Sequence, residues 1–349
     1  MHDTGSKNPQ NPRWTRRLAT LLAPPLALTC GGPLWAQSAP APPETGVLLG
    51  SQRQSDLMFI HGLDDRGGPL AGNQGWLRLG GGNMKSTGDF GGPYSANSDY
   101  ALLQGGADLP LPWPRGWDHW RVGALASYAN ARTDGTAAAG AGTATGRAEG
   151  YGLGLTATWF QDTARRRGWY GDFWWQFGWF DNRVTPPGQS RSDYTSHVGL
   201  ASAEGGYAFE VAPQWLLTPQ LQWVYVHNHA YTFFESNGAE VESAHRGGWT
   251  SRLGLRLQRD NAAAPADATA VRYAPYAAVN WWHDGHLGDE VILNGQSIKG
   301  LYPGDRFELK GGLAVTMGRR WSAWGDLGWQ TGNQSFSAWT AQLGARYSW

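Results

Sequence analysis

The strongest pattern along the chain is an alternation of apolar and polar positions. It is clearest between Gly168 and Asn182, in the stretch GWYGDFWWQFGWFDN. Because successive side chains of a β-strand point to opposite faces, a strand here has one almost wholly apolar face and one mixed face. The run is also longer than the roughly five or six residues of an ordinary globular strand. The odd-numbered positions form the apolar face, here called the apolar parity, with Trp169, Phe173, Trp175, Phe177 and Trp179. The even-numbered positions form the mixed face, here called the mixed parity, with Tyr170, Asp172, Trp174, Gln176 and Gly178.

The same alternation recurs in runs of ~10 residues that turn-rich segments separate. It is plain in WTSRLGLRLQ from Trp249 and in the terminal WTAQLGARYSW from Trp339. The pattern predicts an all-β protein with twelve strands. They begin near Gly75, Tyr100, Trp117, Gly150, Trp169, Val198, Trp215, Trp249, Tyr273, Arg306, Trp321 and Trp339.

Charged residues occupy the mixed parity of several predicted strands. A soluble protein would turn that face to water, whereas a membrane barrel turns its apolar face to lipid and its charges to a water-filled lumen. The stretch around Glu204 fits either parity, since Val198 and Leu200 favour one assignment and Tyr207 and Phe209 the other. For a barrel, the predicted lumen-facing charges are Asp172, Glu204, Arg252, Arg256, Glu308, Lys310, Asp326 and Arg346.

The composition is compatible with both a soluble all-β protein and a membrane barrel. The 349 residues include 21 Trp, 50 Gly and one Cys, and the formal net charge is zero with a mean hydropathy of −0.47. No run of ~18 apolar residues indicates a transmembrane helix, and the neutral charge gives no electrostatic reason to expect a nucleic-acid partner. Abundant Trp and Tyr suit the aromatic belts of a membrane barrel, but also a soluble all-β protein with a carbohydrate-binding aromatic surface.

The N-terminal segment favours the membrane barrel, because it has the layout of a secretory signal peptide. Arg13, Arg16 and Arg17 precede an apolar stretch from Leu18 to Cys30, and Ala36 is a plausible cleavage point. Residues 1–36 are therefore the predicted signal peptide, and 37–50 a short Pro-rich linker or vestigial passenger. Removal of Cys30 leaves a mature chain without cysteine, so no disulfide can stabilise it.

One helix is predicted before the strands, over residues 51–66, because apolar residues fall at helical spacings there and Gly67-Gly68-Pro69 ends the segment. The barrel is then predicted over residues 73–349.

The ordered series of motifs resembles the translocator (β) domain of autotransporters, the type V secretion family. The resemblance implies a twelve-stranded antiparallel outer-membrane barrel with an N-terminal α-helix in its pore, and a helix that contacts the lumen through Arg53, Asp56, Leu57, Phe59 and Ile60. The motifs that carry it are QRQSDLMFIHGLDDR, YGLGLTATWF, GWYGDFWWQFGWFDNRV, ASAEGGYAF, LTPQLQWVY, WTSRLGLRL, PYAAVNWWHDG and the terminal GARYSW.

The resemblance also implies partners and a location. Tyr347 and Trp349 resemble the terminal signal read by the outer-membrane barrel-assembly machinery. The expected protein is a monomer in the bacterial outer membrane, surrounded by lipid, which transports polypeptide and has no enzymatic activity, cofactor or metal. Some relatives cleave their passenger with an Asn in the pore helix, but residues 51–65 contain no Asn.

Three alternatives stay open at this point. The barrel is a translocator with almost no passenger, a porin-like channel, or an adhesin or enzyme that acts through its outer loops. The lumen charges either hold the helix or pair with each other across the pore, and the sequence favours a mixture in which the second kind is larger. His227, His229, His283 and His286 could bind a metal, but are better explained as polar residues of strand ends or rim loops.

Overall fold

The computed structural model describes residues 40–68, 73–111, 119–138, 140–162, 167–242, 246–260, 270–285, 287 and 290–349. The predicted signal peptide, the predicted strand start at Trp117 and His286 lie outside these ranges. Among the described residues, no helix combines the length and the apolar character needed to cross a membrane.

Twelve antiparallel strands close into a barrel, which confirms the predicted fold class. Each pairs with its barrel neighbours in chain order, and the first pairs with the last from Gln74 opposite Ser348 to Lys85 opposite Ser337. The barrel strands are β1 (Gln74–Asp89), β2 (Pro93–Leu111), β3 (His119–Thr136), β4 (Thr143–Phe160), β5 (Gly168–Thr185), β6 (Ser192–Ala212), β7 (Trp215–Ala230), β10 (Arg246–Arg259), β11 (Val271–Gly285), β14 (Asp305–Met317), β15 (Trp321–Gly332) and β16 (Ser337–Ser348).

The alternation along β5 places its side chains as the sequence predicts. Trp175 is 51% exposed on the outside, whereas Trp174 is 3% exposed on the inside. Glu204 of β6 also faces inward. Val198 and Leu200 share that inner face because they pack against the segment that fills the lumen, and Phe209 is exposed on the outside.

The two rims of the barrel differ. One rim holds the start of β1, the end of β16 and short connections such as 213–214. The opposite rim, called the long-loop rim below, holds connections 231–245 and 286–304. Strands within these two connections pair into a small four-stranded sheet, the cap sheet, which the sequence does not predict. It consists of β8 (Phe233–Phe234), β9 (Glu240–Glu242), β12 (Glu290–Leu293) and β13 (Gln296–Lys299), in the order β13-β12-β9-β8.

The N-terminal helix is earlier than predicted. Helix α1 spans Pro43–Leu57, and between residues 58 and 68 a single 3-10 turn, Asp64–Arg66, is helical. The predicted bounds of 51–66 are therefore wrong, and most of the predicted linker 37–50 is helix. Pro43 suits the first helical position because its fixed φ is already helical, and Glu44 in the first turn complements the helix dipole. Burial around the whole helix explains why no amphipathic stripe marked it in the sequence.

Candidate functional site: the plugged lumen

Helix α1 lies inside the barrel against the inner face of β2 to β5. Val47, Leu48 and Leu49 are buried in one hydrophobic cluster with wall residues such as Tyr94 and Val184. The approach is close because glycines face each other at the contact.

A Cβ at Gly135 of β3 would overlap the carbonyl oxygen of Pro43, and one at Gly46 would overlap the carbonyl oxygen of Ser95. The chain therefore leaves room for the helix on this side of the lumen.

The cap sheet extends the same hydrophobic cluster over the helix. Val241 of β9, Val291 of β12 and Ile298 of β13 are buried with Val47 and Leu48 of α1. The cluster continues through Leu301 and Tyr302, and the Tyr302 ring lies 5.2 Å from the guanidinium carbon of Arg53. Cap sheet, helix and wall thus share one core, and together they close the long-loop rim.

Charged side chains of α1 are paired with the wall. Arg53 forms an ion pair with Asp284, which also binds Arg306 at 3.0 Å. The Asn228 side chain donates to Asp56 at 2.6 Å. A buried charge is tolerated only when it is paired and hydrogen-bonded, so these contacts fix the rotation of the helix about its axis.

Below the helix, residues 58–61 pack against the wall through aromatic contacts. Phe59 is fully buried with its ring centroid 5.3 Å from that of Phe180. The His61 ring stacks on Trp174 at 4.5 Å, and the Trp174 indole N–H donates to the His61 carbonyl oxygen at 2.9 Å. The sequence predicts that this stretch is part of the helix, whereas a turn at residues 58–59 ends the helix before it.

The 3-10 turn presents three consecutive charges to three different parts of the wall. Asp64 lies 3.6 Å from Arg256, and the Lys310 ammonium lies 2.6 Å from Asp65. Arg66 pairs with Asp172 and lies 3.6 Å from Asp108. These pairs join the segment to opposite sides of the lumen, so they hold it in the middle of the barrel.

All eight predicted lumen charges lie on the inner side of the wall. Five of these eight charges contact the segment before β1. This differs from the prediction that most of them pair with each other across the pore. The contacts not given above are Glu204 to Leu63 N–H at 3.2 Å and to Arg252 at 3.1 Å, Arg346 to the Gly68 carbonyl oxygen at 2.6 Å, Lys310 to Asp326 at 3.3 Å, and Glu308 to Asn280 at 2.7 Å.

The predicted helix residues divide into two groups. Arg53, Asp56 and Leu57 belong to α1, whereas Phe59 and Ile60 follow its end. Four residues of the site were missed, although each stands at an inward position of a strand. They are Asp108, Asn228, Asp284 and Arg306. Only Asp108 has two apolar neighbours along its strand, Ala107 and Leu109, so the alternation could have marked Asp108 but not the others.

Residues 40–68, the segment before β1, are called the plug. A cavity of about 170 Å³ separates the plug from the wall formed by β1, β2, β10, β11 and β14 to β16. Ile60 and His61 border it on the plug side, and Arg78, Tyr100 and Trp282 border it on the wall side. The plug therefore leaves one flank of the lumen partly open to water.

The C-terminal residues lie at the rim opposite the cap sheet. The Trp349 backbone N–H donates to the Asn73 carbonyl oxygen at 3.1 Å. The Tyr347 ring packs against Trp321 at 4.9 Å and lies 6.2 Å from the Trp349 ring. The end of the chain is therefore fastened to the start of β1 at the closing seam.

The histidines do not form a metal site within the described residues, where no group of three or more candidate ligands occurs. His283 Nδ1 instead lies 2.8 Å from Asp305 at the long-loop rim.

Comparison with known proteins identifies the family. The family model described as the autotransporter β-domain matches residues 75–328, so the chain belongs to the autotransporter β-domain family. Among curated proteins, YdeU of Escherichia coli is 30% identical, over 88% of this chain and 70% of YdeU. The E. coli autotransporter adhesin AIDA-I is 24% identical, over 88% of this chain but 25% of AIDA-I.

Solved structures of two autotransporter barrels are similar to this chain in fold. The transport unit of the autotransporter AIDA-I from Escherichia coli matches with a TM-score of 0.78 at 23% identity, covering 88% of this chain and 100% of that one. The β domain of the Bordetella autotransporter BrkA matches with a TM-score of 0.61 at 22% identity, covering 80% and 100%. As an autotransporter β-barrel, the protein is integral to the outer membrane.

Proposed function

We propose that this barrel is the translocator of an autotransporter and supports export of the polypeptide segment that precedes α1 across the outer membrane. The observation that carries the proposal is the path of the chain. Helix α1 occupies the lumen, and its N-terminal end reaches the long-loop rim, where the Ala41 N–H donates to the Phe90 carbonyl oxygen at 3.0 Å. A segment attached there would emerge from the barrel at that rim.

The orientation follows from the loops. Membrane barrels of the outer-membrane type have short periplasmic turns and longer extracellular loops. The long-loop rim with its cap sheet is therefore the outer end, and the rim with both barrel termini is the periplasmic end. The exported segment is the polypeptide that directly precedes Pro43.

Assembly and surroundings complete the proposal. The exposed apolar side chains of the outer face contact outer-membrane lipid. Tyr347 and Trp349 form the terminal signal for the barrel-assembly machinery, and the barrel acts as a monomer without enzymatic chemistry. The pore-helix and lumen residues described above hold the plug after export.

An epitope placed directly before Pro40 tests the proposal. We expect antibody to label intact cells, because export places this position outside. The matched control carries the same epitope in the turn 213–214, which is at the opposite rim and should be labelled only after the outer membrane is permeabilised. Labelling of the control but not of the N-terminal epitope on intact cells would contradict the proposal.

The cavity beside the plug favours a second candidate, a porin-like channel. Its volume of about 170 Å³ lies along one flank of the lumen. Conductance of the intact protein separates the two functions, since a channel conducts with the plug in place.

A further inference from the structure

Three arginines form a row on the outer surface of the barrel near the long-loop rim. Arg132 of β3 is directly opposite Arg147 of β4, which is directly opposite Arg183 of β5. All three side chains face outward and are 45–70% exposed. Neighbouring strands lie about 4.8 Å apart, so this basic row spans roughly 10 Å. Like charges directly opposite each other in a sheet repel, and an anion that binds all three would relieve the repulsion.

An aromatic row lies two outward positions deeper on the same strands. Tyr128 is opposite Tyr151, and Tyr151 is opposite Trp179. Aromatic girdles of membrane barrels lie at the boundary between hydrocarbon and headgroups. Four residues at ~3.4 Å per residue on a strand tilted by about 40° place the basic row roughly 10 Å further out. This is the level of lipid headgroups.

The present partners of the basic row leave donors available. Within the part of the chain that the structure describes, each arginine has one carboxylate within salt-bridge distance, and such exposed pairs contribute little stability. A guanidinium has five N–H donors, so one carboxylate does not saturate it. The pairs are Arg132 with Asp134 at 3.5 Å, Arg147 with Glu149 at 3.2 Å, and Arg183 with Asp193 at 3.5 Å.

We propose that the basic row binds the phosphate groups of phosphorylated glycolipids in the outer leaflet of the outer membrane. The proposal rests on the orientation given above, with the long-loop rim outside. Guanidinium groups bind phosphate in a bidentate manner with charge-assisted hydrogen bonds. The aromatic row below the arginines then contacts the upper part of the acyl chains of the same lipid.

The row lies on one flank of the barrel. On the far side, the outward positions near the same rim are Trp249 and Ser251 of β10 and Asp305 and Phe307 of β14. The lipid bound by its phosphates is therefore held beside β3, β4 and β5, the strands against which α1 packs on the inside.

Native mass spectrometry of the purified protein in detergent tests the proposal, with lipid A carrying two phosphates and dephosphorylated lipid A as probes. We expect the protein to retain the phosphorylated lipid and the R132Q/R147Q/R183Q variant to retain at least tenfold less. The matched control, R167Q/R259Q/R320Q, removes three exposed arginines at the opposite rim and should retain the lipid as the unmodified protein does. Mobility of unboiled protein on a gel verifies that each variant is a folded barrel.

A third variant keeps the arginines and removes their carboxylates. D134N/E149Q/D193N should retain at least twofold more phosphorylated lipid, because the guanidinium groups lose their competing partners. The proposal is overturned if the basic-row variant binds as well as the control, if dephosphorylated lipid A binds equally, or if the carboxylate variant loses binding. The epitope assay tests the translocator function separately, since the basic row does not contact the plug.

Discussion

Gly135 determines how closely α1 can approach the wall. A Cβ at this position would overlap the Pro43 carbonyl oxygen, whereas a Cβ at Gly80, on the inner face of β1, would have its nearest neighbours at 3.8 Å. We expect Gly135→Ala to destabilise the plugged barrel by about 1–3 kcal/mol, the usual range for overpacking, and Gly80→Ala to leave it unchanged. The midpoint of the heat-induced mobility shift on a gel measures both. Equal midpoints for the two variants would mean that the helix is not seated on β3.

Arg66 is the centre of the charge network at the base of the plug. Arg66→Met leaves the Asp172 carboxylate buried without its cationic partner, which should cost about 3–5 kcal/mol. The double variant Arg66→Met with Asp172→Leu should recover much of that loss, because Asp108 keeps hydrogen bonds from Gln74, Trp76 and Thr156. Urea unfolding of the three proteins measures the coupling.

The exposed pair Arg132 and Asp134 provides the control for the Arg66 and Asp172 variants. Arg132→Met should change the free energy of unfolding by no more than about 1 kcal/mol, as expected for a surface ion pair. A double variant that is no more stable than Arg66→Met would show that the buried pair is not what holds the base of the plug.

At the scale of single residues, the sequence predicts well which face of a strand a side chain occupies. It predicts poorly which residue that side chain contacts. The period of a strand is two, so parity alone placed Asp172, Arg252 and Arg346 inside the barrel. Parity does not tell which charge meets which across the lumen, because that depends on the path of the plug. The contacts of Asp284 and Arg66 were missed for this reason.

At the scale of elements, the helix and the cap sheet were the difficult parts. An enclosed helix needs no polar stripe, so the periodicity that marks surface helices is missing from α1. The cap strands are two to four residues long and pair between two connections distant in sequence. Such pairing leaves no local signal, whereas the long barrel strands each carry several repeats of the alternation.

Closure of the cap sheet should depend on pH through Glu235. This residue lies between β8 and β9, and both carboxylate oxygens are buried without a hydrogen-bond partner among the described residues. Burial and, after it, the nearby Glu44 carboxylate raise the pKa of Glu235 to about 7, against a smaller lowering effect of the Asn237 side chain. The closed cap therefore holds a proton that an open cap would release at an ordinary carboxyl pKa.

The direction of the pH dependence follows from the difference between the pKa of Glu235 in the closed cap and in the open cap. The closed cap is favoured below the ordinary carboxyl pKa of about 4.3, and this advantage is lost as the pH rises to about 7. Distances between spin labels at Gln296 of β13 and Asp89 of β1 should broaden between pH 5 and pH 8. Glu235→Gln should abolish the change, and Glu240→Gln, on the same connection, should preserve it. A pH response that persists in Glu235→Gln would assign it to another group.

At the scale of the whole molecule, the outside and the inside of the barrel follow different rules. The outside is apolar because it contacts lipid, and the inside is polar because it contacts water and the charged plug. The pattern of the chain predicts this inversion, and with it the closed barrel. It does not predict how much of the lumen is filled, because the filling depends on the packing of residues 40–68 as a unit.

Removal of residues 40–66 should open the pore. A helix is about 10–12 Å across with its side chains, and twelve strands enclose more space than side chains of the wall alone can fill. Deletion of residues 40–66 removes α1, the 3-10 turn and every ion pair between them and the wall, so the remaining cavity beside the plug should widen into a continuous aqueous passage. We expect the single-channel conductance in planar bilayers to rise at least severalfold over that of the mature protein. The Arg53→Ala variant, which keeps the plug but loses its pair with Asp284, should lie close to the mature protein. If the mature protein already conducts as strongly as the deletion variant, the plug does not close the pore and the porin-like function replaces the translocator.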